Sequence, residues 1–114
     1  MLQTLDLDTR HLGAIDFAED ILIRELGDNL LDIILYGSCA TGKWRFSSDV
    51  DLLVVVNEID FKAPRLRGMC MPDTWDIADV DVHFVTKEDY LERDDTYIRI
   101  IRREGVSILD KTKN

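Results

Sequence analysis

Cysteine, proline and histidine are each represented only twice, positive charge is in short supply, and no long hydrophobic run occurs. Each shortage excludes something. Cys39 and Cys70 lie far apart with no CxxC or Cys/His spacing around them, which rules out a zinc ribbon or a disulfide scaffold and predicts two reduced thiols. No stretch approaches the ~20 apolar residues of a membrane helix. The opening residues MLQTLDLDTR lack the basic start and apolar run of a secretory signal, so a cytoplasmic protein without a membrane span is expected.

The charge balance is 14 Lys+Arg against 23 Asp+Glu, a net charge of −9. Nucleic-acid binding rests on neutralising phosphates, so nonspecific binding to DNA or RNA is disfavoured. Arg93, Arg99, Arg102 and Arg103 gather late in the chain, either as a patch for an acidic partner or as a solvated helix face. No repeat, low-complexity segment or linker stands out. With 114 residues, 46% of them hydrophobic, residues 1–114 are expected to form one domain that buries roughly two-thirds of its unfolded surface.

Residues 8–26 carry Leu12, Ile15, Ala18, Ile21 and Leu22 at helical spacing before a stop at Gly27. Leu30 to Tyr36 is almost wholly apolar and ends at Gly37, as suits a strand buried on both faces. Val50 to Val56 reads as a second strand. Residues 57–78 hold Pro64, Gly68 and Pro72 without a sustained period, which predicts a loop with at most one short helix. From Asp79 to Val85 polar and apolar residues alternate, so Asp79, Asp81 and His83 share one strand face. Thr86 reads as the N-cap of a helix carrying Tyr90, Leu91, Tyr97, Ile98 and Ile101 up to Gly105, and Val106 to Leu109 as a last edge strand. The expected class is α+β, a small mixed sheet with helices on one side.

The chemistry concentrates in residues 35–51. Gly37 permits a tight turn at a strand end, and the amides and hydroxyl that follow, Ser38 first, can point at a phosphate. Asp49 and Asp51 are two apart on extended backbone, so both carboxylates project from one face and suit a hard octahedral ion such as Mg²⁺. That ion takes remaining ligands from substrate phosphates, so a phosphate turn and a carboxylate pair belong close together. A third carboxylate on the next strand, Asp79 or Asp81, could complete the set and accept a proton.

Gly37-Ser38, then Gly42, then Ser48-Asp49-Val50-Asp51 before an apolar strand resembles the DNA polymerase beta-like nucleotidyltransferase superfamily, and the short chain resembles its minimal nucleotidyltransferase branch. The likeness runs over residues 8–109 and includes Glu104-Gly105-Val106 before the last strand. The resemblance selects Asp81 over Asp79. It implies the superfamily's fold, catalytic and metal-ligating roles for Asp49, Asp51 and Asp81, and nucleotide binding at Gly37, Ser38, Lys43 and Ser48. It further implies Mg²⁺-dependent transfer of a nucleoside monophosphate, AMP from ATP, to a hydroxyl of a protein or small molecule. An all-helical HEPN-type partner in a toxin-antitoxin pair is implied too, with homo-oligomerisation left open. The sequence departs from the pattern at Cys39 and Thr41, where many relatives carry Arg, and that leaves phosphate charge to Lys43 or Arg45.

Two alternatives stand beside this reading. The domain could instead be a non-catalytic antitoxin that neutralises its partner by occlusion. Gly37 through Lys43 also satisfies GxxxxGK, but Trp44 occupies the position where a P-loop needs Ser or Thr. His83 is expected to be a hydrogen-bonded structural residue, while Trp44 and Phe46 could stack on a base or cover the sheet.

Overall fold

The computed structural model describes residues 6–113; the ends of the expected 1–114 domain, residues 1–5 and 114, lie outside it. Helix α1 (Thr9–Leu26) starts at Asp8, whose side chain accepts the His11 N–H, and stops at Gly27. Its apolar positions bury Ala14, Ile15, Ala18 and Leu22 completely. Strand β1 (Leu30–Tyr36) follows, then the single turn α2 (Ser38–Thr41) and strand β2 (Val50–Val56). The strand bounds match the apolar runs because Ile, Leu and Val fill a pleated interior.

β2 pairs in parallel with β3 (Val80–Thr86). Parallel neighbours need a crossover connection, and residues 57–79 provide it. Helix α3 (Ala63–Met69) sits within that crossover, with Pro64 in its first turn, where a missing N–H breaks no bond. Helices α4 (Lys87–Glu92) and α5 (Thr96–Glu104) then lead to β4 (Val106–Ser107), which pairs antiparallel with β1 on its other side. The sheet order is β3-β2-β1-β4, with β1 and β2 antiparallel.

The mixed α+β sheet is as expected, but helices cover both faces rather than one. On one side Ile33, Leu35, Leu52, Val54 and Val82 pack with α1 and with Leu66 of α3. On the other, Ile34, Leu53, Val55 and Val85 pack under Ile98 and Ile101 of α5. β1 and β2 are apolar at successive positions, so both faces need cover. The strict alternation in β3 hid this, since its polar face returns to apolar at Val85.

The helix expected to run unbroken from Thr86 to Gly105 is also divided. Thr86 caps α4 through the Asp89 N–H, but Asp95 caps a second helix through the Ile98 N–H, 2.9 Å away. Arg102 braces the break by donating to the carbonyls of Tyr90, Leu91 and Arg93. The other late arginines pair locally, Arg93 with Asp95, Arg99 with Asp94 and Arg103 with Glu104. Near the C-terminus, the buried Glu19 accepts the Asp110 N–H at 2.9 Å, which ties the tail to α1. No helix among the described residues is long and apolar enough to cross a membrane.

Candidate active site

Tyr36 registers with Asp51 and Asp51 with Asp81, so the three side chains stand in a row across β1, β2 and β3. They lie on the sheet face that α5 covers farther along, because Leu35, Leu52 and Val82 face the opposite core. Directly after Tyr36, Gly37 has φ 75° and ψ −155°, a conformation open essentially to glycine alone. A Cβ there would overlap Oδ2 of Asp51. Glycine thus lets the carboxylate lie against the turn.

α2 begins at once with Ser38, so the Ser38 and Cys39 amides come before the first bond of the turn. The Ala40 and Thr41 N–H groups donate to the Gly37 carbonyl. Gly42, at φ 79°, ends the turn, and the Lys43 N–H donates back to the Ser38 carbonyl at 3.1 Å. Ser38 and Lys43 therefore share a cleft of about 390 Å³ with Tyr36, Tyr97 and Ile100. The Tyr36 and Tyr97 hydroxyls are 2.8 Å apart, their rings meet edge to face, and burial with that hydrogen bond raises the Tyr36 phenol above its ordinary range.

The hairpin that returns the chain to Asp49 is fixed from inside. Ser48 accepts the Arg45 N–H on its hydroxyl at 2.8 Å, and its carbonyl meets Nε2 of His11 at 2.8 Å. His11 is completely buried, and its Nδ1 stands 2.6 Å from Asp8. Burial pushes the Asp8 carboxyl up, but the hydrogen bonds from His11 outweigh it and leave Asp8 below its usual value. The buried Cys39 thiol donates to the Asp49 carbonyl, and burial with the charge of Asp51 pushes that thiol up to about 11. Trp44 packs against the core with its ring 5.2 Å from that of His11, whereas Phe46 is exposed under the Arg10 guanidinium.

Electrostatically the site is short of positive charge. Burial first, then the charges of Asp81 and Asp49, push the Asp51 carboxyl up to about 6, with His83 opposing. Asp81 is held on both oxygens: His83 Nε2 lies 3.1 Å from Oδ2, and an Arg67 guanidinium nitrogen 4.0 Å from Oδ1. Asp79 instead gives its carbonyl to the Val50 N–H and lines, together with Ser48 and the exposed Asp49, a groove beside Arg10 and Trp75. Of the two candidates for a third carboxylate, Asp81 is the one beside Asp51.

Carboxylate oxygens are the donors a hard cation selects, and Asp81 and Asp49 are the two carboxylates whose charges Asp51 feels. Among the described residues no three His, Cys, Asp or Glu side chains close around one point as a cage. Mg²⁺ takes one or two protein carboxylates and keeps room for waters and phosphates, and Asp51 and Asp81, in register on neighbouring strands, are a pair of that kind. The residues suit the ion.

Sequence reasoning did not reach Tyr36, Tyr97, Arg67 or His11 as neighbours of the site; His83, expected to be hydrogen-bonded, is so, with Asp81 as its partner. Tyr36 had one signal, its place next to Gly37. Arg67 had none, since its segment lacks periodicity. The GxxxxGK alternative falls away, because β1 and β2 form an antiparallel hairpin around one turn of helix rather than a strand feeding a long helix of a parallel sheet.

The site thus sets a glycine-serine turn at one strand end against carboxylates at the start of the antiparallel neighbour. A family model described as nucleotidyltransferase domain matches residues 18–108, and the chain belongs to that family. The comparison with curated proteins gives no match.

Among solved structures, the spectinomycin adenyltransferase AAD(9) from Enterococcus faecialis, with ATP and spectinomycin, superposes with a TM-score of 0.60 at 19% identity. That match covers 74% of this chain, which spans only 37% of the adenyltransferase. A protein from Sulfolobus solfataricus described as a nucleotidyltransferase gives 0.59 at 18% identity, covering 90% of this chain and 86% of that one. A toxin-antitoxin with AMP-PNP gives 0.52 at 23% identity, covering 83% and 76%. At these identities the likeness establishes the shared fold.

Proposed function

We propose that this domain transfers a nucleoside monophosphate, AMP from ATP, onto a hydroxyl of a protein or small molecule in a Mg²⁺-dependent reaction. Its setting would be the cytoplasm, as the antitoxin of a pair whose partner is an all-helical HEPN-type protein. The observation that carries the reading is the close approach of Asp51 to Gly37, which joins the proposed phosphate turn to a carboxylate in register with Asp81. Two structural neighbours add support, one an adenyltransferase with ATP and one a toxin-antitoxin with AMP-PNP.

In this reading the Ser38 hydroxyl and the first amides of α2 receive the terminal phosphates, with Lys43 beside them. Ser48 shapes the turn that delivers Asp49. Asp49, Asp51 and Asp81 would hold Mg²⁺, which when bound offsets phosphate charge. The acceptor oxygen bonds to the α-phosphorus as the bond from that phosphorus to its bridging oxygen breaks. Pyrophosphate leaves with the electron pair, and the half-exposed Asp81 takes the acceptor's proton. No covalent enzyme intermediate arises.

One observation favours a second reading, neutralisation of the partner by occlusion alone. The turn carries no guanidinium: Cys39 is buried, and the Thr41 hydroxyl donates to the Gly37 carbonyl. Calorimetric titration of Mg²⁺-ATP separates the two. Binding that disappears in Asp49→Asn and without Mg²⁺ supports the transferase. No binding under any condition, with a partner complex that survives replacement of both Asp49 and Asp51, supports occlusion.

A further inference from the structure

The proposed site lacks arginine where the phosphates would sit, yet a guanidinium approaches from elsewhere. α3 belongs to the core on the far side of the sheet, since Leu66 is completely buried there beside Val80 and Val82. That anchor fixes the helix's rotation. Arg67, the next residue, reaches around the unpaired edge of β3 and ends 4.0 Å from Asp81 on the other face. Between α3 and that edge lies a groove of about 400 Å³, lined by Pro64, Arg67, Met71 and Asp81.

Both side chains of this pair are exposed, Arg67 by 53% and Asp81 by 46%. An ion pair so placed holds weakly, and Asp81 keeps His83 on its other oxygen when Arg67 leaves. The guanidinium is therefore free to turn to a stronger anion at little cost.

Position then assigns the target. Neighbouring strands lie about 4.8 Å apart, so the row from Tyr36 on β1 to Asp81 on β3 spans roughly 10 Å, comparable to an extended triphosphate. Lys43 stands with Ser38 beyond the β1 end and Arg67 at the β3 end. A triphosphate anchored at Ser38 lays its α-phosphate toward β3.

We infer that Arg67 is a further catalytic residue, which leaves Asp81 on substrate binding and contacts the α-phosphate oxygens through its planar fork of donors. The inference rests on the proposed nucleotide site and adds the recognition of one phosphate within it.

Calorimetry with two probes tests it, Mg²⁺-ATP and Mg²⁺-pyrophosphate, on the wild-type chain, Arg67→Ala, Arg67→Lys and the neighbouring Arg65→Ala. The expected result is a Kd for Mg²⁺-ATP raised about tenfold in Arg67→Ala and less in Arg67→Lys, with pyrophosphate binding unchanged and Arg65→Ala like wild type. Unchanged ATP affinity in Arg67→Ala would overturn the inference while leaving the nucleotide site standing. Equal weakening of both probes, or of ATP binding in Arg65→Ala, would reduce Arg67 to a general charge effect and overturn it as well. A wild-type chain that binds neither probe removes the underlying site, a different failure. Thermal unfolding of each variant confirms the fold.

Discussion

Gly37 and Asp51 touch across the β1–β2 hairpin, the glycine's bare Cα set against a carboxylate oxygen. The turn that would seat a phosphate and the side chain that would hold a cation thus share one boundary.

Replacing Gly37 with alanine should damage both. The φ of 75° strains any L side chain, at about 1–3 kcal/mol, and the new methyl must displace Asp51. Gly37→Ala is expected to unfold at lower denaturant concentration and to lose Mg²⁺-ATP binding by calorimetry. Wild-type affinity in a folded Gly37→Ala protein would contradict the site.

Asp51 should cost the free protein stability at neutral pH. Burial and the neighbouring carboxylates push its carboxyl up to about 6 in the fold, against 3.8 for an ordinary aspartate. Below pH 3.8 both states are protonated and nothing is lost; between the two values the unfolded chain ionises first and the fold is penalised. Above pH 6 the penalty is complete. Asp51→Asn removes it, so the variant should be more stable at pH 7 by about 1–2 kcal/mol, after discounting for the partial exposure of the side chain. The gain should vanish below pH 4 while nucleotide transfer is abolished. Thermal unfolding at the two pH values reads this out, and a variant less stable than wild type at pH 7 would refute it.

His11 joins α1 to the loop that carries Asp49, with both ring nitrogens engaged and no exposed surface. His11→Ala leaves a cavity and strips the Ser48 carbonyl of its partner, an expected loss of about 2–4 kcal/mol. Urea unfolding measures it; a loss under about 1 kcal/mol would mean the loop holds itself.

Both thiols should be silent in the native state. Burial drives Cys39 up to about 11 and Cys70 up to about 12, so at pH 8 their thiolate fractions are on the order of one in a thousand or less. A thiol-disulfide reagent should label neither in buffer and both in urea. Rapid native labelling would show that one is more accessible than its packing implies.

The strands and the carboxylate ladder were legible because period-two patterning and a glycine stop are local signals. β1 and β2 came out at their observed bounds, and Asp81 next to Asp51 followed from the motif once the two strands lay side by side. Arg67 was invisible because its role depends on α3 crossing behind the sheet, a tertiary event with no periodic trace in residues 57–78. His11 was hidden for a related reason: a histidine on a helix face says nothing about a carbonyl 37 residues away. The division between α4 and α5 was written in Asp94-Asp95, but the apolar stripe on either side masked the second cap.

The path from β3 to β4 has a consequence of its own. Leaving one edge of the sheet and returning at the other, α4 and α5 pass over the face that carries Asp51 and Asp81, and the Tyr36–Tyr97 hydroxyl pair borders the region they roof. The half of that face they leave open lies toward the Gly37 end of the sheet and runs to the β3 edge, where the Asp81 and His83 side chains are half-exposed. In the proposed reaction the nucleotide and its acceptor would meet in that open strip, so the edge of the α4–α5 roof would limit how bulky an acceptor can approach.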